Sequence, residues 1–102
     1  MYIRVLESGE LALQDCDNLR AFSIVPDTVE APLTKLQAFA EVAEDNHYWL
    51  DAEAVEALSP RRDDPRWIES FRAMLAGVAD YGYYDAKNNR VKAHVEYADN
   101  QD

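Results

Sequence analysis

The clearest hydrophobic repeat in the chain predicts a helix over residues 65–81. Its apolar side chains recur at intervals of three and four residues, which places them on one face of a helix. Asp64 is a suitable N-cap, and Pro65 suits the first helical position. Gly82 can take the left-handed C′ conformation, so we expect Tyr83 to fold back in a Schellman ending. The repeat consists of Trp67, Ile68, Phe71, Met74, Leu75 and Val78.

Two shorter helices are predicted earlier in the chain. Pro32 and the spacing of the apolar residues after it indicate a helix over about residues 30–40. Asp51 is a good N-cap for the segment that follows it. Leu50 and Val55 are spaced to form a hydrophobic staple across the first turn of that segment. We therefore place a second short helix directly after Asp51.

Alternating and β-branched segments predict strands in the first half of the chain. Residues 2–6 and 20–26 have the composition and alternation typical of strands. A turn at residues 45–46 would return the chain as a strand through 47–49. Residues 10–19 fit either a strand or a short helix.

The C-terminal segment predicts a β-hairpin that ends in the alternating run RVKAHVEY. A turn centred on Asn88-Asn89 would pair Asp85 with Lys92 and Tyr83 with the histidine at position 94. One face of the hairpin would be apolar, and the other would carry Tyr83, Asp85, Lys87, Arg90, Lys92, His94 and Glu96.

These elements sum to a single α+β domain over residues 1–102. We expect a mostly antiparallel sheet with the 65–81 helix packed on its apolar face and a C-terminal strand that could lie at a sheet edge. The pattern leaves the strand order open. Hydrophobic residues make up 48% of the chain and aromatic residues 11%, which is enough apolar material for a globular core.

The charge of the chain excludes several classes of partner. Twenty acidic residues against ten basic ones give a formal net charge of −10, which repels nucleic acid and anionic membranes. The N-terminus lacks a secretory pattern and no apolar run is long enough to span a bilayer, so a cytoplasmic location is expected. The two acidic neighbours of Cys16 disfavour a reactive thiolate. The acidic residues between Lys35 and Arg61 most simply form a solvated face.

The polar face of the hairpin holds the first candidate site. His94 and Glu96 would lie side by side near Tyr83, as a pair that could share a proton in acid–base catalysis. Two residues at this spacing specify little, and a solvated strand of paired charges explains them more simply. His47, between a predicted turn and two aromatic residues, would suit the lip of a ligand pocket. Core packing is the simpler explanation of the aromatic residues, and Trp49 and Trp67 are expected inside.

A second candidate is the basic cluster of Arg61, Arg62 and Arg66 near the start of the long helix. Such a cluster could hold an anion together with free backbone N–H groups. Asp63 and Asp64 are interleaved with it and can neutralise it. The chain has no zinc-binding spacing, no glycine-rich phosphate loop and no nucleophile elbow. We therefore expect neither a metal nor a cofactor.

Three functional hypotheses remain open on these grounds. The first is a small binding or interaction domain without catalytic activity, a homodimer with a small-molecule or protein partner. The alternative is a small acid–base enzyme, an isomerase or hydrolase, that uses His94, Glu96 and Tyr83. The third is an acidic mimic that blocks a nucleic-acid-binding protein. An enclosed His94 would favour the enzyme or a ligand site, and an open sheet face would direct the search for function to the subunit interface and the acidic segment.

Overall fold

The computed structural model describes residues 1–97, which form seven strands and three helices around one core. The strands are β1 (Tyr2–Val5), β2 (Leu11–Gln14), β3 (Ser23–Pro26), β4 (Ala40–Glu44), β5 (His47–Asp51), β6 (Tyr84–Asp85) and β7 (Arg90–Val95). The helices are α1 (Thr34–Gln37), α2 (Ala52–Leu58) and α3 (Pro65–Ala79). Residues 98–102 of the predicted domain lie outside the described residues. Residues 10–19, ambiguous by sequence, contain strand β2.

All seven strands join one mixed sheet in the order β2-β1-β3-β7-β5-β4, and β6 pairs with the start of β7. Strand β3 runs parallel to both β1 and β7, and the other four pairings within residues 1–97 are antiparallel. The predicted α+β class, with a mostly antiparallel sheet and a long packed helix, is confirmed. The predicted edge position of the C-terminal strand is wrong, because β7 lies between β3 and β5.

Helix α3 begins as its sequence predicts and ends two residues early. The carboxylate of Asp64 accepts the backbone N–H of Arg66, and Pro65 occupies the first turn. At the other end Gly82 has a φ of 83°. The N–H of Tyr83 donates to the carbonyl oxygen of Val78 at 3.2 Å. This is the 6→1 hydrogen bond of a Schellman motif, and it turns Tyr83 back toward the sheet.

The helix predicted over residues 30–40 is wrong in extent, because α1 spans only Thr34–Gln37. Residues from Ala40 onward pair as β4 with β5 instead. One helical turn is costly to nucleate alone, and α1 is held by Leu36, which is fully buried in the core. The β4–β5 hairpin turns at Asn46, whose φ of 58° supplies the left-handed residue that this turn needs.

The C-terminal hairpin forms in a register shifted by two residues from the predicted one. Tyr84 pairs with Val91, and Asp85 pairs with Arg90 rather than with Lys92. The loop is four residues long because the Asp85 carboxylate accepts the backbone N–H groups of Lys87 and Asn88. A shift of two residues keeps every side chain on its predicted face.

One face of the sheet packs on the helices. Phe71 stacks on Trp67 with ring centroids 5.2 Å apart, and both side chains are buried with the inward residues of the central strands. Trp49 is not inside as expected. It lies on the opposite face, with Arg90 and Lys92 at 4.9 and 5.3 Å from its ring. Within residues 1–97 no helix has both the length and the apolar character to cross a membrane.

Candidate functional site

A cleft opens where β7 passes from one neighbouring strand to the next. Along one edge of β7, the first residues pair with β6 and the last residues pair with β3. The segment before β3 and the segment before β6 therefore approach each other beside the middle of β7. The C-terminal turn of α3 adds a third wall, because the Schellman motif leads directly into β6.

The cleft has a volume of about 310 Å³ and is lined mainly by apolar and aromatic side chains. That volume is at the lower end of the range for small-molecule sites. The walls are Leu19, Arg20, Ala21 and Phe22 before β3, Met74, Val78, Tyr81 and Tyr83 around the end of α3, and His47, Val91, Lys92 and His94 on the sheet. Sequence reasoning found three of these residues, namely His47, Tyr83 and His94.

His47 and His94 face each other across β5 and β7. They are directly paired in the register of the two strands, and their ring centroids are 6.1 Å apart. The Nδ1 atom of His47 lies 2.7 Å from the carbonyl oxygen of Asp45. A carbonyl oxygen can only accept a hydrogen bond, so this contact places a proton on Nδ1, and when the ring is neutral Nε2 has the lone pair.

His94 contacts Glu96, as its place on the polar face predicted. The Nε2 atom of His94 is 3.0 Å from Oε1 of Glu96, and the two side chains are 44% and 53% exposed. A carboxylate also only accepts, so this contact places a proton on Nε2 of His94. Tyr83 lines the same cleft as His94, whereas Glu96 lies outside the lining. Two of the three predicted catalytic residues, Tyr83 and His94, thus line one cleft, and the third, Glu96, contacts His94 from outside the lining.

Lys92 links the cleft to the outer face of the sheet. Its Nζ atom lies 2.9 Å from Oε1 of Glu44 and 5.7 Å from the centre of the Tyr83 ring. The hydrogen bond and the positive charge of Lys92 hold the pKa of Glu44 below its ordinary value. The side chain of Lys92 is 19% exposed, so this charge is partly withdrawn from solvent at the edge of the cleft.

The lining of the cleft differs in charge from the rest of the chain. Of the residues in the described part of the chain that line it, none is Asp or Glu. The lining contains Arg20 and Lys92, which are cationic, and His47 and His94, which become cationic on protonation. In a chain with a net charge of −10, the charged residues of this lining are thus basic, although Glu44 and Glu96 contact Lys92 and His94 from outside it.

The basic cluster at the start of α3 is not part of this cleft and is largely neutralised. Arg61 contacts the carboxylates of Asp17 and Asp64 at 2.8 and 2.9 Å. The hydrogen bond to Asp64 and the negative charges raise the pKa of Arg61. Arg62 donates to the carbonyl oxygen of Ser59. Arg66 donates its backbone N–H to Asp64, so the cap carboxylate occupies that donor.

The acidic segment between Lys35 and Arg61 is tied to specific partners within the fold. Glu41 contacts Arg90 at 2.9 Å, Glu44 contacts Lys92, and Glu56 contacts Arg72 at 3.1 Å. Asp51 caps α2 by accepting the N–H groups of the first turn. Among residues 1–97 no group of three His, Cys, Asp or Glu side chains is arranged to hold a metal ion.

Comparisons of the chain with protein-family profiles, with curated proteins and with solved structures find no significant match.

Proposed function

We propose that this domain binds a small organic anion with an apolar or aromatic body in the cleft beside β7. The observation that carries the proposal is the lining, which combines aromatic and aliphatic walls with two cations and two histidines and has no carboxylate in the part of the chain that the structure describes. Apolar walls with a few polar groups that fix orientation are typical of ligand sites. The proposal agrees with a binding domain rather than an enzyme.

Lys92 and Arg20, the two cations of the lining, differ in how they are held. Lys92 is held by Glu44 and lies over aromatic rings, so it is positioned in advance, and an anion would compete with Glu44 for its protons. Arg20 lies in the segment before β3. Tyr81, which is 78% exposed, and Tyr83 form the outer lip. Rings at the lip suit an aromatic ligand body that enters with its charge toward Lys92.

The experiment compares two fluorescent probes of similar shape. The anionic probe is 1-anilinonaphthalene-8-sulfonate, and the neutral probe, N-phenyl-1-naphthylamine, lacks the sulfonate. We expect the anionic probe to bind more tightly to the folded protein at pH 6. Lys92→Met should weaken its binding about fivefold, as expected for loss of one partly shielded charge contact, and should leave the neutral probe unaffected.

Arg72→Met is the matched control for the loss of charge. Arg72 is 67% exposed on α3, pairs with Glu56 and does not line the cleft. Each variant removes one positive charge, so a general electrostatic effect would be equal in both. Equal binding of the two probes, or equal weakening by the two variants, would refute the proposal.

The acid–base alternative has one observation in its favour, the contact of His94 with Glu96 at the mouth of the cleft. If it holds, hydrolysis of 4-nitrophenyl acetate by the protein should exceed the rate of free imidazole at equal concentration. His94→Gln and Glu96→Gln should then each reduce hydrolysis to the background rate. A wild-type rate no higher than free imidazole would count against this alternative.

A homodimer and a cytoplasmic location remain predictions from the sequence. The edge strands at the two ends of the sheet order are β2 and β4, whereas β7 is internal. On β4, Val42 is 72% exposed, but a bulge and the acids Glu41 and Glu44 oppose pairing along that strand. Light scattering at micromolar concentration tests the dimer, since a mass near 11.6 kDa would show a monomer.

A further inference from the structure

We propose that the cleft takes up a proton together with its anion, at the facing pair His47 and His94. This inference rests on the proposed function, because it concerns how the same site recognises its ligand. The ligand class becomes an oxyanion, a carboxylate or a sulfonate, whose oxygen is bound by imidazolium N–H groups. Affinity is then tied to pH through the two histidines.

The existing hydrogen bonds of the two rings determine where their protons lie. A neutral imidazole has one N–H group and one nitrogen with a lone pair. His47 directs its N–H group to the carbonyl oxygen of Asp45, and His94 directs its N–H group to the carboxylate of Glu96. Both partners can only accept. In the neutral state, each ring has therefore already used its one donor within the protein.

An incoming anion would meet the second nitrogen of each ring. The nitrogen left over on each neutral ring has a lone pair, which repels an oxyanion. Protonation of a ring by solvent converts that nitrogen to an N–H donor without breaking the bond to Asp45 or Glu96. The ring centroids are 6.1 Å apart, which is close enough for one oxyanion to accept a hydrogen bond of about 2.8 Å from each ring when both new N–H groups point toward it.

Charged groups of both signs surround the two rings. The charged and titratable groups around the two rings come from four parts of the fold. They are Glu44 on β4, Asp45 in the turn, Lys92 and Glu96 on β7, and Arg20, Tyr81 and Tyr83 on the cleft walls. Glu44 and Glu96 favour protonation of the rings, whereas Lys92 and Arg20 oppose it. A bound anion adds negative charge beside the rings and so tips this balance toward the protonated state.

The test is the pH dependence of 1-anilinonaphthalene-8-sulfonate binding between pH 5.5 and 8.5, in bis-Tris propane at constant ionic strength. Histidine is the side chain that ordinarily changes charge in this window. If one proton is taken up with the anion, the affinity for the anionic probe should fall about tenfold for each unit that the pH rises, over the range where the free rings are neutral. N-phenyl-1-naphthylamine, which has no charge, should bind equally at every pH.

Two substitutions retain the hydrogen bonds and remove the titration. His47→Asn keeps an N–H donor for the carbonyl of Asp45, and His94→Gln keeps one for Glu96. The double variant has no imidazole, because these are the two histidines of the chain. We expect its affinity for the anionic probe to be nearly independent of pH. The Met1 amine, whose pKa is lowered by burial, is present in all variants. Any pH dependence that it causes would therefore remain in the double variant.

The outcomes separate the two proposals. Tight anion binding that Lys92→Met weakens, but that does not vary with pH, would overturn the proton uptake and leave the anion site standing. A wild-type slope retained in the double variant would also overturn it, since the proton would then enter elsewhere. If the affinities of both probes changed with pH in parallel, the cause would be loosening of the fold by acid, and the proton uptake would be overturned. No binding of the anionic probe at any pH would overturn both proposals.

Discussion

At the scale of single residues, chemistry at the cleft depends on which partner each side chain already has. His47 and His94 have a backbone carbonyl and a carboxylate as acceptors, and Lys92 has Glu44. None of these contacts fixes a function alone. Together they leave a cation held at the edge of the cleft and two rings, each of which gains a second N–H donor on protonation.

Phe71 is a large, fully buried side chain of the core. Its side chain is fully buried and stacked on Trp67. Phe71→Ala should destabilise the fold by about 4 kcal/mol, the sum of lost burial and a cavity. Urea unfolding followed by tryptophan fluorescence measures this loss.

Ser70→Ala is the control for that substitution, because Ser70 is an exposed neighbour on the same helix. Its effect should stay within about 0.5 kcal/mol. A loss below about 1 kcal/mol for Phe71→Ala would mean that the core is packed differently from the structure described.

At the scale of elements, the end of α3 positions one wall of the cleft. Tyr81 and Tyr83 flank Gly82, which has a left-handed backbone. The reversal depends on that conformation, which costs an ordinary L-residue about 1–2 kcal/mol. The wall is therefore set by the backbone of one glycine.

Two glycine substitutions with opposite signs test this point. Gly82→Ala should lower the free energy of unfolding by about 1 kcal/mol, because a Cβ at a φ of 83° is strained although nothing lies within 4 Å of it. Gly77→Ala, inside α3 and equally free of neighbours, should raise it by up to about 1 kcal/mol. Thermal unfolding compares them, and the same sign for both variants would contradict the Schellman ending.

The elements predicted correctly have short-range signals in the sequence. The caps of α2 and α3 and the turn at Asn46 each follow from a few adjacent residues. Strand β4 was missed because Ala40 and Ala43 also fit helical spacing, and only pairing with β5 decides between the two structures. Propensity over a few residues is weaker than such tertiary pairing.

The same limit applies to the candidate site. His94 and Glu96 were found because two residues apart on a strand means the same face. The pairing of His47 with His94 spans 46 intervening residues and depends on the strand order, which the pattern left open. Arg20 and Tyr81 reach the cleft only because the segments before β3 and β6 meet at β7, and nothing in their local sequence indicates this.

At the scale of the whole molecule, the paired carboxylates make the free energy of unfolding depend on pH in the acid range. Four of the paired carboxylates have a pKa lowered by hydrogen bonds and nearby charge, namely Asp27, Glu44, Asp64 and Asp85. A lowered folded-state pKa contributes stability above the unfolded value, which is 3.8 for Asp and 4.5 for Glu. That stability is lost as the pH falls through the folded-state values.

Asp85→Asn tests this dependence. The pKa of Asp85 is lowered first by the hydrogen bond from the Asn88 side chain and further by Arg90. The urea midpoint of Asp85→Asn should lie below that of the wild type at pH 7. The two midpoints should converge as the pH falls through the lowered folded-state pKa of Asp85, because the protonated side chain resembles asparagine. A difference that stays constant with pH would show that the charge of Asp85 is not what stabilises the loop.

A ¹H–¹⁵N NMR titration with 1-anilinonaphthalene-8-sulfonate at pH 6 would locate the bound anion on the whole molecule. We expect saturable shifts at residues 19–22, 78–83 and 91–94 and at His47, with the amides around Arg61 and Arg66 unmoved. Shifts centred on the Arg61 cluster, or scattered over the outer sheet face, would contradict a binding site in the cleft beside β7.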